Sequence, residues 1–322
     1  MKAVRVHEYG GAEALQMEEV PVPEPGAGEV RVRMEAVGVN FIDVYHRTGA
    51  YASELPIVPG REGAGVVDTV GEGVQEFEEG DRVAFAMTPA TYADYAVVKA
   101  AMLAPVPDDV SAAQAAAVML QGMTAHYLVT DTFPLQEGQT CLVHAAAGGV
   151  GHLLVQMAKM RGARVIGTAS TAEKIAFAKE IGADEMIQYT ETDFLEETMR
   201  LTHGRGVDVV YESVGRETFT RSMRSLRPRG YLVLYGQSSG AVEPLDPQLL
   251  NRYGSLFLTR PSLGHYIADR EELLGRARDL FTWIGEGRLH VRVDKTYQLA
   301  DAAEAHRYLE GRNTKGKILL LP

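Results

Sequence analysis

Apolar and polar positions follow two different periods along this chain. Up to about residue 110 they alternate. Val30-Arg31-Val32-Arg33-Met34 and Gly65-Val66-Val67-Asp68-Thr69-Val70 place successive side chains on opposite faces, as does Met1-Lys2-Ala3-Val4-Arg5-Val6. Asp81-Arg82-Val83-Ala84-Phe85 opens a further strand, and glycines at 60, 63, 65, 71, 73 and 80 punctuate the series. This spacing predicts a compact β domain with sharp bends rather than βαβ units. Pro105 and Pro107 mark a connection, after which Ser111 can cap a helix through Ala117.

From about 120 to 260 the pattern changes. Short apolar strands are predicted at 140–144, 164–168, 186–188, 207–211 and 231–235. Helices are predicted between them at 150–161, 171–181, 194–202 and about 217–226, with Gly182 closing the second. Strands alternating with helices of about ten residues predict an α/β fold, a doubly wound parallel sheet covered on both faces. Beyond it come helices near 270–284 and 300–309 and a last apolar strand, 317–321, which could close back onto the N-terminal β domain. An exposed apolar strand around 255–259 could extend the sheet across a two-fold axis, so a homodimer is expected.

Composition narrows the function classes. The 322 residues carry a net charge of −11, which argues against nucleic acid or an anionic membrane as a partner. Cys141 is the single cysteine, so neither an intrachain disulfide nor a multi-cysteine zinc site can form. It lies in an apolar strand and reads as a small buried hydrophobe. No segment approaches the roughly 20 apolar residues of a membrane span. The first residues lack a signal-peptide core, and a cytoplasmic location is expected.

The chemistry concentrates at Leu142-Val143-His144-Ala145-Ala146-Ala147-Gly148-Gly149-Val150-Gly151. A strand ends in small residues and a helix begins at glycines, as in a dinucleotide fingerprint with Ala146 at the first glycine position. Ala/Gly-rich turns of this kind also serve close packing alone. The next strand ends Gly167-Thr168-Ala169-Ser170, without the carboxylate that would hold a ribose 2′-hydroxyl. Ser170 and Lys174 instead offer a hydroxyl and a cation, which favours NADP(H) over NAD(H). Read without a ligand, Ser170 is a helix cap and Lys174 a solvated side chain. His144, beside the turn, reads as a structural hydrogen-bonding residue.

Several segments together resemble the medium-chain dehydrogenases/reductases over essentially the whole chain. They are Gly38-Val39-Asn40-Phe41-Ile42-Asp43, Pro59-Gly60-Arg61-Glu62-Gly63-Ala64-Gly65, Glu79-Gly80-Asp81-Arg82-Val83 and the glycine turn. Gln121-Gly122-Met123-Thr124, Asp208-Val209-Val210-Tyr211-Glu212-Ser213-Val214-Gly215 and Leu258-Thr259-Arg260-Pro261-Ser262-Leu263 narrow the resemblance. They are similar to the zinc-independent NADPH:quinone oxidoreductases of the quinone reductase/zeta-crystallin group. The resemblance implies a GroES-like catalytic domain (1–122, resumed at 261–322), a Rossmann NADPH-binding domain (123–260), and an active site in the cleft between them.

The resemblance also implies site residues. Asn40 would lie at the nicotinamide ribose and substrate edge, and Thr124 beside the ribose or carboxamide. Gly148, Gly149 and Val150 would pack on the pyrophosphate, with Ser170, Lys174, Tyr189 and Arg312 around the adenosine 2′-phosphate. Ser213, Tyr235, Gly236 and Ser238 would line the adenine-to-nicotinamide path. Tyr45, Tyr51 and Arg260 would face the substrate, although surface-loop tyrosines and a structural ion pair read equally well.

Zinc-dependent relatives carry cysteine where this chain has Asn40, histidine where it has Arg61, and a third ligand near residues 120–121. Those positions here offer no thiolate or imidazole, and no metal is expected. Arg61 has no assigned role, and pairing with Glu62 or Asp43 is the simplest expectation for it. With NADPH as hydride donor and an electron-poor quinone as acceptor, no indispensable acid–base residue is expected. An enone, enal or enoyl-thioester reductase is the alternative within the superfamily. An NADPH-binding structural or RNA-binding protein is the alternative outside catalysis.

Overall fold

The alternating segments after the first form one sheet in the computed structural model, which describes Met1–Pro322. The chain divides into two units, one of Met1–Met123 with Tyr266–Pro322, the other of Thr124–His265.

In the first unit, β1 (Lys2–Arg5) and β2 (Gln16–Glu19) pair as a separate antiparallel ribbon. The main sheet contains β3 (Glu29–Val39), β4 (Glu62–Val70), β5 (Arg82–Ala86), β6 (Tyr95–Lys99) and β7 (Ala104–Pro105). Helix α1 (Phe41–Arg47) follows β3, and α2 (Ala112–Tyr127) follows β7. Ser111 and Gln114 form a reciprocal cap at the start of α2: each side chain receives the other's backbone N–H. The helix runs ten residues past the predicted end at Ala117, to Tyr127. It is buried on nearly every side, so no polar stripe marks its extent.

The second unit is a six-stranded, all-parallel sheet. Its elements are β8 (Thr140–Val143), α3 (Gly149–Met160), β9 (Arg164–Ala169), α4 (Ala172–Glu180), β10 (Glu185–Gln188), α5 (Phe194–Leu201), β11 (Val207–Glu212), α6 (Phe219–Arg224), β12 (Leu226–Leu234), α7 (Gln248–Arg252) and β13 (Phe257–Thr259). The strand order is β10-β9-β8-β11-β12-β13, and every pair is parallel. This is the doubly wound Rossmann order, which reverses direction at β8. The predicted helix to about residue 226 ends earlier, because β12 begins at Leu226. The turn-like residues Arg227–Gly230 are an irregularity inside that strand, with Arg229 at φ 58°.

The chain then re-enters the first unit. After α8 (Leu263–Tyr266), α9 (Arg270–Gly285), β14 (Val293–Gln298) and α10 (Ala302–Glu310), the final strand β15 (Lys317–Leu321) pairs antiparallel with β3. Ile318 lies opposite Val39, and both join the core with Val30, Val32, Val37 and Leu320. No helix is long and apolar enough to cross a membrane.

Candidate functional site

The glycine turn leaves the carboxyl end of β8, where the strand order reverses and ligands bind in such sheets. Gly148 is the extended N-cap of α3, and its N–H donates to Ala145 O at 2.8 Å. Ala145 takes φ 50° to make the bend. A Cβ on Gly151 would collide with the Ala145 carbonyl, so the turn can sit this close to the helix only with glycine there. The first N–H groups of α3, including those of Gly149 and Val150, lie before the intrahelical ladder begins, as an anion-binding helix start requires. These residues fit a dinucleotide pyrophosphate.

His144 ties this turn to its neighbours. Its Nδ1 lies 3.1 Å from Thr168 Oγ1 and its Nε2 2.9 Å from Ser222 Oγ. Ser222 Oγ donates to Glu212 Oε2 at 2.6 Å, so it must accept from His144 Nε2–H. Glu212 Oε1 takes the N–H groups of Val214 and Gly215 at 2.7 and 3.1 Å. Burial lowers the His144 pKa, leaving the ring neutral. One buried chain thus fixes the carboxyl ends of β8, β9 and β11. His144 is structural, as expected, whereas Glu212 and Ser222 were not singled out by the sequence pattern.

Most of the other expected cofactor residues follow strand ends of the same sheet, and Thr124 and Arg312 do not. Ser213 Oγ donates to His144 O at 3.4 Å, and the N–H groups of Tyr235 and Gly236 reach Glu212 O at 2.9 and 3.3 Å. Ser238 N–H reaches Ser213 O at 3.2 Å. Ser170 follows β9, its carbonyl accepting from Thr190 Oγ1 at 3.0 Å. The cap of α4 is Thr171, not Ser170: Thr171 Oγ1 accepts the backbone N–H of Lys174. Tyr189 is 40% exposed just past β10. Arg260 follows β13 and donates to Pro261 O at 3.4 Å. Thr124 is buried in α2. Arg312 belongs to the first unit, in the turn after α10 at φ 55°.

A second polar cluster lies inside the first unit. Asn40, the N-cap of α1, donates through Nδ2 to Glu62 Oε1 at 2.8 Å and accepts at Oδ1 from Lys317 Nζ at 2.9 Å and Gln121 Nε2 at 3.1 Å. Lys317 also contacts Glu62 Oε1, and Leu120 N–H donates to Glu62 Oε2 at 2.6 Å. Both charged side chains are fully buried. Gly38 is required here, because a Cβ would overlap the Glu62 carboxylate. Burial pulls the Lys317 ammonium below its usual range, and Glu62 opposes that shift. Two of the positions that the resemblance aligns with zinc ligands, Asn40 and Gln121, thus join a network with an amine, and no group of three or more His, Cys, Asp or Glu side chains is placed to hold a metal. Lys317 was not anticipated. The available signal was a lone charge opening the otherwise apolar run Lys317-Ile318-Leu319-Leu320-Leu321.

Next to this cluster, Asp43 Oδ2 accepts from Asn40 N–H at 2.8 Å and Tyr92 Oη–H at 3.1 Å. Tyr92 Oη lies 3.0 Å from His306 Nε2, and His306 Nδ1 lies 3.0 Å from Arg47 Nη1. Arginine only donates, so Nδ1 accepts, Nε2–H donates to Tyr92, and Tyr92 donates to Asp43. Every bond in the chain is oriented from the guanidinium towards the carboxyl group. Burial, reinforced by Arg47, pushes His306 down to about 3.

Tyr45 and Tyr51 meet edge to face at 5.2 Å, and Tyr51 meets His46 at 5.7 Å. The expectation that Arg61 pairs with Glu62 or Asp43 is overturned. Its Nη2 donates to His46 Nε2 at 2.9 Å, while Glu62 is engaged by Lys317 and Asn40, and Asp43 by Asn40 and Tyr92.

Comparison with known proteins agrees with this architecture. The alcohol dehydrogenase GroES-like domain family matches residues 26–108, and the zinc-binding dehydrogenase family matches 149–274. The 2-haloacrylate reductase of a Burkholderia species is 44% identical across 99% of this chain and 98% of its own. A Pseudomonas aeruginosa quinone oxidoreductase is 43% identical across 100% of this chain and 99% of its own. Among solved structures, the Escherichia coli quinone oxidoreductase complexed with NADPH superposes with a TM-score of 0.98 at 42% identity, covering 100% of both chains. A mycobacterial protein complexed with NADPH gives 0.98 at 47%, again covering 100% of both.

Proposed function

Because this chain belongs to the quinone oxidoreductase family of the medium-chain dehydrogenases/reductases, we propose that it is a zinc-independent NADPH:quinone reductase. The observation that carries the reading is the glycine turn at the sheet's reversal point, followed by a strand end that offers Ser170 and Lys174 and no carboxylate. NADPH, when bound, supplies the hydride. Gly148, Gly149 and Val150 hold its pyrophosphate, and Ser170, Lys174, Tyr189 and Arg312 hold the 2′-phosphate. Ser213, Tyr235, Gly236 and Ser238 lie along the dinucleotide, with Thr124 and Asn40 at its nicotinamide end. Tyr45, Tyr51 and Arg260 bound the acceptor. The buried position of Asn40, fixed by Lys317, Glu62 and Gln121, makes it a rigid edge rather than a proton donor.

The test is NADPH oxidation followed at 340 nm with 1,4-benzoquinone and a larger quinone. A quinone-dependent rate above the non-enzymatic background is expected, and its absence would overturn the proposal. A second reading, reduction of an activated carbon–carbon double bond, is favoured by the 44% identity to a 2-haloacrylate reductase. Rates with 2-alkenals, enoyl thioesters and 2-haloacrylate, set beside those with quinones, separate the two. The protein is proposed to act in the cytoplasm as a homodimer joined through edge strand β13, where Phe257 is 50% exposed and stacks on Tyr231 at 4.5 Å. A monomeric mass by light scattering at micromolar concentration would refute the dimer.

A further inference from the structure

Arg61 is a half-buried cation without a carboxylate partner. Its one hydrogen bond goes to His46 Nε2 at 2.9 Å. A guanidinium has five N–H donors and no acceptor, so His46 Nε2 must be the bare nitrogen. His46 Nδ1 then carries the proton and faces Ser53 Oγ at 3.0 Å. Burial first, and the nearby Arg61 second, hold the His46 pKa below its usual value. The ring is neutral, so His46 does not balance the charge on Arg61, and no carboxylate is hydrogen-bonded to it. Asp43 attracts Arg61 through space, but its hydrogen bonds are to Asn40 and Tyr92.

Aromatic rings adjoin the histidine that holds this cation. His46 packs edge-on against Tyr51, Tyr51 against Tyr45, and Tyr45 lies 6.3 Å from Phe41. A fixed positive charge with unused planar donors, held by a histidine that packs among aromatic rings, suits a flat molecule with an anionic oxygen group on its rim. A neutral quinone has no group that needs such a charge in its ground state.

We infer that Arg61 is a specificity-determining residue that selects acceptors carrying a carboxylate or similar oxyanion beside the reducible bond. This deepens the reductase reading and rests on it. His46 serves as a positioning residue, because its bare Nε2 holds the guanidinium in place.

The test compares two acceptors that differ by one anionic group, 1,4-naphthoquinone and 1,4-naphthoquinone-2-sulfonate, with wild type, Arg61→Gln and Arg61→Lys. In Arg61→Gln the ratio of kcat/KM for the sulfonate to that for the parent quinone should fall about tenfold or more, as for a lost charge-assisted hydrogen bond. Arg61→Lys should lose less, since it keeps the charge but not the fork. A ratio unchanged within about twofold in Arg61→Gln would overturn the inference, as would equal losses with both acceptors. Titration calorimetry with benzoate, a redox-inert carboxylate, gives a readout independent of turnover. Arg61→Gln should weaken benzoate about tenfold or more, and equal affinity counts against the inference. If wild type reduces neither quinone, the reductase reading fails and the benzoate titration alone decides the role of Arg61.

Discussion

Lys317 and Glu62 are 255 residues apart in sequence and meet as a buried pair, shared with Asn40. The pair joins the last strand of the chain to β4. It also engages Asn40, one of the positions that the resemblance aligns with a zinc ligand, and lies outside residues 149–274, which the zinc-binding dehydrogenase family matches. Such a pair gives little net stability over an apolar equivalent, but it is costly to break from one side.

Replacing Lys317 with Met should therefore destabilise the protein by about 3–5 kcal/mol, because the Glu62 carboxylate would stay buried without its cation. Adding Glu62→Gln to that variant should recover a substantial part of the loss. Urea unfolding of the two single variants and the double variant measures the coupling. Additive losses would show that the two side chains act independently.

The strand–helix alternation of the second unit was legible because each β segment there is short, apolar and bounded by small residues. The return of residues 317–321 to the N-terminal sheet was legible for the same reason. The extent of α2 was not, since a helix buried on all sides carries no amphipathic stripe. Nor were the partners of Asn40 and His144. Lys317, Glu62 and Gln121 converge from three distant segments, and Ser222 and Glu212 are ordinary residues until β11 and α6 bring them together. Local spacing predicts elements, while side-chain networks depend on register across elements. Arg61 shows the limit most directly: Glu62 and Asp43, its expected partners, are engaged by other residues, and its hydrogen bond goes to a histidine fifteen positions away.

Asp43 gives a pH dependence of stability. Burial pushes its carboxyl up to about 7, outweighing the N–H of Asn40, the charge of Lys317 and the hydroxyl of Tyr92. Its unfolded value is about 3.9. The folded state thus holds this proton more tightly than the unfolded chain. The contribution is fully present below about pH 4 and is lost as pH rises through about 7, at no more than about 1.4 kcal/mol per unit. Asp43→Asn removes the titration while keeping a carbonyl to accept from Asn40 and Tyr92. The stability of wild type relative to this variant should fall between about pH 4 and 7 in chemical denaturation and level off above that. Parallel curves would mean that Asp43 titrates normally.

Ser222→Ala should remove the hydroxyl that bridges His144 Nε2–H and Glu212 Oε2, which lie 3.6 Å apart. A loss of about 1–3 kcal/mol is expected from the unsatisfied buried groups. The same change should weaken NADPH binding in a fluorescence titration, because Glu212 holds the loop at Val214 and Gly215 while His144 anchors the glycine turn. Unchanged affinity with reduced stability would confine the network to folding.

Lys174 offers the sharpest test of the cofactor assignment. Thr171 caps α4 through the backbone N–H of Lys174, so Lys174→Ala leaves that cap intact and puts a better helix former in place. The ammonium is lost while the cap is kept. If it faces the 2′-phosphate, KM for NADPH should rise about tenfold or more, the size of a charge-assisted hydrogen bond, while KM for NADH stays within a few-fold. Lys174→Glu should go further and narrow or reverse the preference, because a carboxylate repels the phosphate and can accept from a free ribose hydroxyl. Steady-state kinetics with both nucleotides at a fixed quinone concentration measures this. Equal changes for NADPH and NADH would remove Lys174 from the phosphate site and leave it a helix residue.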